Sequence, residues 1–535
     1  MTVTERSTLS IASRDLDADV LVIGGGPAGT WAAISAASQG ARVILADKGF
    51  CGTSGATAPS GTGVWYVPPD PARRAKAMNS RWDLGGRLAD PAWMRRVLDR
   101  TYENVNLLAD WGFPFLDDGA GGQVRTSLDG PDYMRLMRKR VKAAGVRILD
   151  HSPALELLRD ASGAVAGATG IRRQRGDVWT VHAGAVVIAT GGCAFLSRAL
   201  GTNVLTGDGY LMAAELGADL SGMEFSSSYA MALANGSVTK TRFYDWAEFT
   251  YADGSPIPGA ASKGGRSAIA RTLGSGRAVY ARLTADAEEQ RAMRHHQPNF
   301  FLPLDRSGLD PFTDRFPVTL RLEATVRGTG GLRLVDETCA TTVPGLYAAG
   351  DAATRELICG AFTGGGSHNA AWAMSSGFWA GAGAAGHARA HRGRGAVRSG
   401  GLGLRDGARG PIDAQALIAA VRGEVLPYEH TYQRHGDRLS ASLSRLDGLW
   451  AGLHGADAAT RAEAVRTREG IAMLATARWM YRSALARTES RGMHKREDFP
   501  GQDEAQRHHI LSGGLDEVWT TTAPAASPAH EVLAA

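Results

Sequence analysis

The sequence has 535 residues, of which 44% are hydrophobic and 21% charged, a composition typical of globular proteins and not of disordered, fibrous or coiled-coil chains. The formal net charge of +5 is small for this length, and no dense Lys/Arg block occurs, so nucleic acid is disfavoured as a partner. Glycine is in excess, with 68 residues or about one in eight, which suits a protein whose backbone approaches a large ligand closely.

Cysteine usage and apolar segments indicate a cytoplasmic location. Four scattered cysteines without CxxC spacing predict reduced thiols, and neither a zinc site nor an iron–sulfur cluster held by this chain alone. The first 17 residues lack the apolar core of a secretory signal and predict a flexible lead. The most apolar stretch, residues 370–386, contains two serines and many small residues, so it predicts a buried helix and no transmembrane span.

Residues 18–49 predict one βαβ unit, with an apolar strand, a glycine turn, a helix of small residues and a second apolar strand. In the turn, Gly24 permits the tight bend, Gly26 leaves no side chain facing a pyrophosphate, and Gly29 allows close helix–strand packing. The pyrophosphate would meet the positive end of the helix dipole. Asp47 ends the second strand, where a carboxylate can accept hydrogen bonds from a ribose. The unit therefore predicts a dinucleotide site.

Three later segments, in this order along the chain, favour FAD over NAD. The strand AVVIATGG ends at Thr190 and Gly191, and the strand in VPGLYAAGDAA ends at Gly350 and Asp351, where the acid can bind a ribityl chain. A glycine-rich segment then opens a helix near Ser367, whose N-terminus can stabilise negative charge on a reduced flavin. Each segment alone is equally consistent with an ordinary buried strand or turn, but their order supports FAD.

The rest of the chain predicts an inserted domain, a linker and a helical domain. Residues 231–317 have weaker periodicity and more Pro and Gly than their surroundings, as expected of an insertion that divides the first domain into residues 18–230 and 318–386. The Gly/Arg-rich residues 387–411 predict a linker. Residues 412–510 predict a helical domain because apolar residues recur at helical spacing, and residues 511–535 predict a disordered tail.

Over roughly residues 18–500, the chain resembles the flavoprotein subunits of succinate dehydrogenase and fumarate reductase, together with L-aspartate oxidase and the alpha subunit of adenylylsulfate reductase. The similar segments include the βαβ unit, TGDGYLMAAELGADLSGMEF, VPGLYAAGDAA and, most specifically, SRGMHKREDFP. The resemblance implies an α/β protein with a two-dinucleotide-binding-type FAD domain built on a parallel sheet, an inserted α+β capping domain and a C-terminal helical domain. The FAD-binding residues implied by the motifs and the resemblance are Gly24, Gly26, Pro27, Ala28, Gly29, Asp47, Lys48, Thr53, Ser54, Gly55, Thr190, Gly191, Asp208, Gly350, Asp351 and Ser367.

The chain also departs from that family. Residues 51–61 lack the histidine that carries FAD covalently in succinate dehydrogenases, so non-covalent FAD is expected. Residues 224–229, 325–331 and 358–367 stand where the family grips a dicarboxylate, yet they lack the family's histidines and its gripping arginine. Succinate, fumarate and aspartate are therefore not expected as substrates.

The resemblance also suggests three catalytic candidates. Arg266 stands where the family has a proton-shuttling arginine, and Arg271 matches the second arginine of that helix, although Ser267 replaces the family's acid. Arg266 can transfer a proton, bind an anion or lie on a solvated surface. His368 can touch the flavin or substrate, or be a core histidine. Four further arginines are candidates for facing an anionic substrate: Arg321, Arg327, Arg333 and Arg355.

These observations predict an FAD-dependent oxidoreductase that moves a hydride between FAD and a small substrate, which can be anionic. The resemblance to two-subunit relatives implies a separate electron partner, such as a ferredoxin-like iron–sulfur protein. Two alternatives stay open at this point: a flavin oxidase that reacts with oxygen, and a flavin-binding electron carrier whose substrate site has decayed.

Overall fold

The computed structural model describes residues 14–117, 119–260, 265–363, 367–391, 395–404, 410–458 and 460–525. The strands are β1 (Arg14–Ile23), β2 (Val43–Ala46), β3 (Thr62–Gly63), β4 (Ser127–Leu128), β5 (Arg147–Leu149), β6 (Ala154–Arg159), β7 (Val165–Ile171), β8 (Val178–Ile188), β9 (Leu220–Ser221), β10 (Tyr229–Leu233), β11 (Ala247–Thr250), β12 (Val279–Leu283), β13 (Phe316–Leu322), β14 (Gly331–Leu332), β15 (Leu346–Ala348), β16 (Val397–Arg398), β17 (His508–Gly513) and β18 (Trp519–Pro524). The helices are α1 (Pro27–Ser38), α2 (Pro71–Leu84), α3 (Pro91–Asp110), α4 (Gly130–Ala143), α5 (Asp208–Ala214), α6 (Gly265–Gly274), α7 (Ala287–His296), α8 (Pro298–Arg306), α9 (Ala324–Arg327), α10 (Glu356–Cys359), α11 (Ser367–Ala390), α12 (Ala414–Val425), α13 (Tyr428–Thr431), α14 (Gly436–Ala451) and α15 (Arg461–Ala486).

The largest sheet has the order β16-β6-β7-β8-β1-β2-β5, and β15 also pairs with β8. β1 is parallel to β2 and to β8, as β15 is to β8 and β5 to β2, so the centre of the sheet is parallel as predicted. Its central strands are apolar on both faces because alternate residues of β1 and β2 are buried in two different apolar clusters, one on each side of the sheet. The architecture confirms the α/β class.

Helices α1 and α11 pack closely on one face of this sheet. A Cβ atom at Gly377 or Gly381 would lie 2.3 or 2.2 Å from the backbone oxygen of Ala28 or Ala32, respectively. The small residues of the segment 370–386 therefore serve the close approach of two buried helices. Of the helices that the structure describes, none is long and apolar enough to span a membrane.

The cap is an antiparallel sheet with the order β10-β13-β12-β11, accompanied by α6, α7 and α8. Tyr229 pairs with Leu322 at one end of β10 and β13. The cap sheet therefore begins and ends slightly outside the predicted limits of 231 and 317, because strand pairing, which composition does not reveal, sets its edges.

Two other boundaries, those of the predicted lead and linker, differ from prediction. Residues 14–17 of the predicted lead belong to β1, where Arg14 pairs with Trp179. The predicted linker begins inside α11 and includes β16, and the Glu156 carboxylate accepts hydrogen bonds from Arg398 Nε at 2.7 Å and Ser399 Oγ at 3.1 Å. Of the predicted lead and linker, residues 1–13, 392–394 and 405–409 lie outside the described residues.

The predicted tail is wrong from residue 511 to Pro524. β17 and β18 form an antiparallel hairpin, and β17 also pairs with β9 of the first domain through Leu511 and Ser221. Burial of Ile510 and Leu511 gives this hairpin an apolar contact with the body of the protein. The final residues, 526–535, are outside the described part of the chain.

Candidate functional site

A cavity of about 680 Å³ lies at the carboxyl ends of β1, β2, β8 and β15, where parallel sheets usually place ligand sites. It extends from the glycine turn before α1 to the cap and to the first turns of α11. Fourteen of the sixteen predicted FAD-binding residues line it: Gly24, Gly26, Pro27, Ala28, Asp47, Lys48, Thr53, Ser54, Gly55, Thr190, Gly191, Asp208, Gly350 and Asp351.

The glycine turn leaves one side of the cavity free of side chains. Gly24 has φ +113°, and a Cβ there would lie 2.2 Å from the backbone oxygen of Ala189. A Cβ at Gly29 would lie 1.8 Å from the backbone oxygen of Gly24, so Gly29 serves helix–strand packing and does not line the cavity. A Cβ at Gly26 would meet no atom within 4 Å. Gly26 therefore keeps open the space in front of the N-terminus of α1.

Asp47 presents a buried carboxylate to the cavity. Its Oδ1 accepts a hydrogen bond from Gly49 N at 2.6 Å, and its Oδ2 accepts one from Ser54 Oγ at 3.0 Å and one from Gly25 N at 2.5 Å. Burial raises the pKa of Asp47 despite these donors. The carboxylate is thus held in one orientation at the end of β2, as a ribose-binding acid requires.

Lys48 lies beside it in a charged cluster. Its Nζ is 2.8 Å from Asp208 Oδ2, 2.7 Å from Glu469 Oε1 and 2.9 Å from Thr206 Oγ1. Burial alone would lower the pKa of Lys48, but the two carboxylates outweigh it and the pKa is raised. Lys48 is therefore a charged residue already engaged by protein partners.

Near the cap, Asp351 lines the cavity and forms an ion pair with the buried Arg355. Burial raises the pKa of Asp351, against the opposing effects of Arg355 and Lys240. Ser367 does not line the cavity; its backbone oxygen accepts a hydrogen bond from Trp65 N at 3.1 Å. The glycines at 364–366, on which the predicted flavin-facing segment depends, lie outside the described residues.

The cap end of the cavity is cationic. Lys240 and Arg327 both line it, and Lys240 Nζ donates a hydrogen bond to the backbone oxygen of Ala56. Arg327 Nε lies 3.1 Å from Glu323 Oε2, whose side chain is fully buried. Burial, together with Arg327, lowers the pKa of Lys240 to about 8. A lysine with such a pKa is a substrate-binding or proton-transferring candidate.

Arg266, the predicted proton shuttle, lies in the first turn of α6 near this group but does not line the cavity. The side chain is exposed to solvent, yet the surrounding protein and the nearby Arg327 lower its pKa. Glu323 is the carboxylate whose charge acts on it most strongly. Ser267, at the position of the family's acid, bonds instead to Tyr432 Oη at 3.0 Å and to Lys495 Nζ at 2.8 Å.

The other two catalytic candidates lie away from the cavity. Arg271 is exposed in the last turn of α6. His368 is buried against Trp65, with ring centroids 4.6 Å apart, and burial together with Arg81 and Arg355 lowers its pKa well below the usual value. It occupies the core position that the sequence left open as an alternative. The next residue, Asn369, faces the cavity instead.

Of the four arginines near the cavity-forming segments, Arg327 alone lines the described cavity. Arg321 donates to the backbone oxygens of Gly236, Ala234 and Ser197, and Arg333 pairs with Asp219. At the positions of the missing dicarboxylate ligands, Tyr229 is buried against two tyrosines and Phe362 provides a backbone oxygen to Arg81. Tyr229 and Phe362 therefore contribute no charged side chain.

Comparison with known proteins agrees with this geometry. The FAD binding domain model matches residues 19–234, and the fumarate reductase flavoprotein C-terminal model matches residues 428–522. L-aspartate oxidase of Streptomyces coelicolor is 28% identical over 96% of this chain and 94% of that protein. The fumarate reductase flavoprotein subunit of Mycobacterium tuberculosis is 25% identical over 93% of this chain and 94% of that protein.

A solved structure shares the fold. A variant of the E. coli quinol fumarate reductase chain FrdA superposes with a TM-score of 0.80 at 20% identity, covering 97% of this chain and 99% of that chain. The chain has the FAD-binding and C-terminal domains of the succinate dehydrogenase and fumarate reductase flavoproteins. This flavoprotein is accordingly an FAD-dependent oxidoreductase.

The cavity of this flavoprotein fits FAD. Its volume lies within the range of about 300–1,000 Å³ usual for cofactor and ligand pockets. The open space at Gly26 suits a pyrophosphate, and the oriented carboxylate of Asp47 suits a ribose. Among the described residues that line the cavity, the one histidine is His151, in the turn after β5; it lies outside residues 51–61, and its ring centroid is 6.2 Å from that of Phe50. Non-covalent binding stays a prediction.

Several cavity residues of the flavoprotein were not anticipated from the sequence. They come from segments far apart in the chain and carry no motif: His151, Arg173, Lys240, Asn369, Arg466 and Glu469. Lys240 is the last residue of the segment ANGSVTK, and no motif or spacing in this segment marks it as a cavity residue. Glu469 lies within an ordinary helical pattern, and only the packing of α15 brings it to the cavity.

Proposed function

We propose that this flavoprotein moves a hydride between a small anionic substrate and non-covalently held FAD, and that it exchanges electrons with a separate protein such as a ferredoxin-like iron–sulfur protein. The observation that carries the proposal is the pair of cations, Lys240 and Arg327, at the end of the cavity formed with the cap.

The charge balance at this end favours an anion. Glu323 offsets Arg327 at 3.1 Å, and Asp351 is paired with Arg355. Lys240 is hydrogen-bonded to a neutral carbonyl oxygen, with no carboxylate at ion-pair distance in the described structure. Because a partly buried charge without a counter-ion is costly, a carboxylate of the substrate would stabilise this arrangement.

The roles of the chain's residues follow from their chemistry. FAD, when bound, supplies the hydride acceptor and donor. Arg327 and Lys240 would bind and orient the anion, and the cap would exclude water from the cleft. Lys240, with a pKa near 8, can also hold or release a proton at neutral pH, which an arginine does far less readily. Arg266 is the second candidate for proton transfer.

The substrate should carry one carboxylate and not two. The positions that grip the second carboxylate in the family hold uncharged residues here, such as Tyr229 and Phe362. Each lost charge-assisted hydrogen bond would weaken binding by roughly 1.5–3 kcal/mol. Succinate, fumarate and aspartate are therefore excluded from the proposal.

A second candidate function is that of an oxidase that passes electrons directly to oxygen. The similarity to an L-aspartate oxidase over 96% of this chain favours it. The two functions share the reductive half-reaction and differ only in what reoxidises the flavin.

Anaerobic titration tests the proposal. Monocarboxylates should bleach the flavin absorbance of the purified protein, and dicarboxylates should not. Reoxidation is then timed with air and with an oxidised ferredoxin. Fast reoxidation by air alone supports the oxidase. Faster reoxidation by ferredoxin than by air supports electron exchange with a separate protein. Bleaching by succinate or aspartate, rapid reoxidation of the reduced flavin by fumarate, or no bleaching by any member of a broad panel of acids would contradict the proposal.

A further inference from the structure

We propose that helix α15 of the C-terminal domain is part of the FAD site. Glu469 on this helix is a positioning residue that closes the adenosine end of the cavity. Through Glu469, FAD binding is coupled to the docking of α15 on the first domain. This inference rests on FAD as the cofactor and does not depend on the identity of the substrate.

The adenosine end can be located from the sheet. A pyrophosphate at the N-terminus of α1 and a ribose at Asp47 direct the adenosine portion toward the neighbouring strand β5. The residues after β5 line the cavity there through His151, Pro153 and Ala154. Gly350 and Asp351 mark the opposite, flavin end.

Helix α15 reaches the same end of the cavity. Arg466 and Glu469, both on α15, line the cavity although they belong to the C-terminal domain. The two side chains are joined, with Arg466 Nη1 3.0 Å from Glu469 Oε2. The adenosine end is therefore built from two domains.

Glu469 is joined through its other oxygen to the first domain. Its Oε1 lies 2.7 Å from Lys48 Nζ, which also contacts Asp208 Oδ2 at 2.8 Å and Thr206 Oγ1 at 2.9 Å, with a longer contact of 3.3 Å to the backbone oxygen of Val204. An ammonium group has three hydrogens, so these partners satisfy Lys48 without the cofactor. Lys48 thus ties the end of β2, the turn before α5 and α15 into one wall of the cavity.

The packing of the backbone also brings α15 close to the start of α5. Gly207, which precedes Asp208, has φ +83°, and a Cβ there would lie 2.5 Å from Thr476 Oγ1 on α15. Helix α15 therefore rests directly on Gly207, the residue that leads into Asp208 and α5. Movement of α15 would displace Glu469, Lys48 and Asp208 together, and so would open the adenosine end.

The inference is tested by measuring the affinity of the full-length protein for FAD, FMN and ADP. The bound flavin is first removed, and the apoprotein is checked to be folded. Glu469→Gln keeps the shape but removes the charge that holds Lys48. We expect the dissociation constants for FAD and ADP to rise by about 10-fold, because a charge-assisted hydrogen bond is lost. FMN, which lacks the adenosine portion, should bind as it does to the parent protein.

Glu215→Gln is the matched control. It breaks the Arg468–Glu215 ion pair of 2.6 Å, which also holds α15 against α5 but does not line the main cavity. FAD affinity should be unchanged in this variant. Hydrogen exchange supplies a second readout: FAD should slow exchange in α15 of the parent protein and of Glu215→Gln, and much less in Glu469→Gln.

Three outcomes would overturn the inference. They are parental FAD affinity in Glu469→Gln, an equal loss of FAD and FMN affinity, and an equal loss of FAD affinity in Glu215→Gln. The second and third would indicate only a general contribution to folding. None of these outcomes bears on the substrate, so the proposed function would stand or fall separately.

Discussion

The ammonium group of Lys240 donates a hydrogen bond to the backbone oxygen of Ala56. Lys240 belongs to the segment that follows the first cap strand, and Ala56 belongs to the loop in which succinate dehydrogenase-type relatives attach FAD covalently. The contact thus joins the cap to the loop beside the flavin end of the cavity. It places a cation with a lowered pKa where substrate and flavin are expected to meet.

We predict that FAD is released by acid. Trichloroacetic acid should precipitate the protein and leave yellow flavin in the supernatant, because no histidine lies in residues 51–61. Gly26→Leu should abolish FAD binding, since its side chain would fill the space of the pyrophosphate. Gly386→Leu, on an open face of α11, is the control and should bind FAD normally. Colour retained in the pellet would contradict the first expectation.

We predict that substrate binding weakens above about pH 8. Lys240 is charged below its pKa of about 8 and neutral above it, so an anionic substrate loses one cation as the pH rises through this value. KM should rise with pH in the parent protein. In Lys240→Met, KM should be about 10-fold higher than in the parent protein and should not change with pH near 8. A profile in Lys240→Met that matches the parental one would rule out this role.

We predict that Arg266→Lys lowers kcat while FAD stays bound. A misplaced proton donor costs typically about 10²–10⁴-fold, and lysine differs from arginine in reach and geometry. A rise confined to KM would instead assign anion binding to Arg266. Arg271→Lys is the control, because Arg271 is exposed at the other end of the same helix. Unchanged kcat and KM in Arg266→Lys would remove this residue from the site.

We predict that Asp498 stabilises the fold in a pH-dependent way. Hydrogen bonds from Arg496 lower the pKa of Asp498, so its contribution is present above the unfolded pKa of about 4 and is lost as the pH falls through the lower folded value. Asp498→Asn should reduce the free energy of unfolding by about 1 kcal/mol at pH 7 and by much less at pH 2. Urea denaturation measures both values. Asp437→Asn, at a side chain that is 96% exposed, should change neither.

The dinucleotide site could be predicted from the sequence because its determinants are local. The spacing of Gly24, Gly26 and Gly29 and the position of Asp47 follow from one strand–turn–helix–strand unit, in which neighbours along the chain are neighbours in space. The strand ends at Thr190 and Gly350 follow the same rule. The absence of the family's histidine and arginine ligands could also be recognised from the sequence, because it requires only the residues of each segment and no tertiary structure.

Tertiary structure alone decided which charged residues meet in the cavity and which elements close it. Lys240 and Arg327 come from opposite ends of the cap insertion, and Glu469 reaches Lys48 from a different domain, so no spacing along the chain reports these contacts. His368 turned into the core and Asn369 into the cavity because one step along a helix rotates the side chain by about 100°. The hairpin β17–β18 forms because β9 supplies a partner strand, and that pairing depends on long-range burial, which a short polar segment does not encode locally.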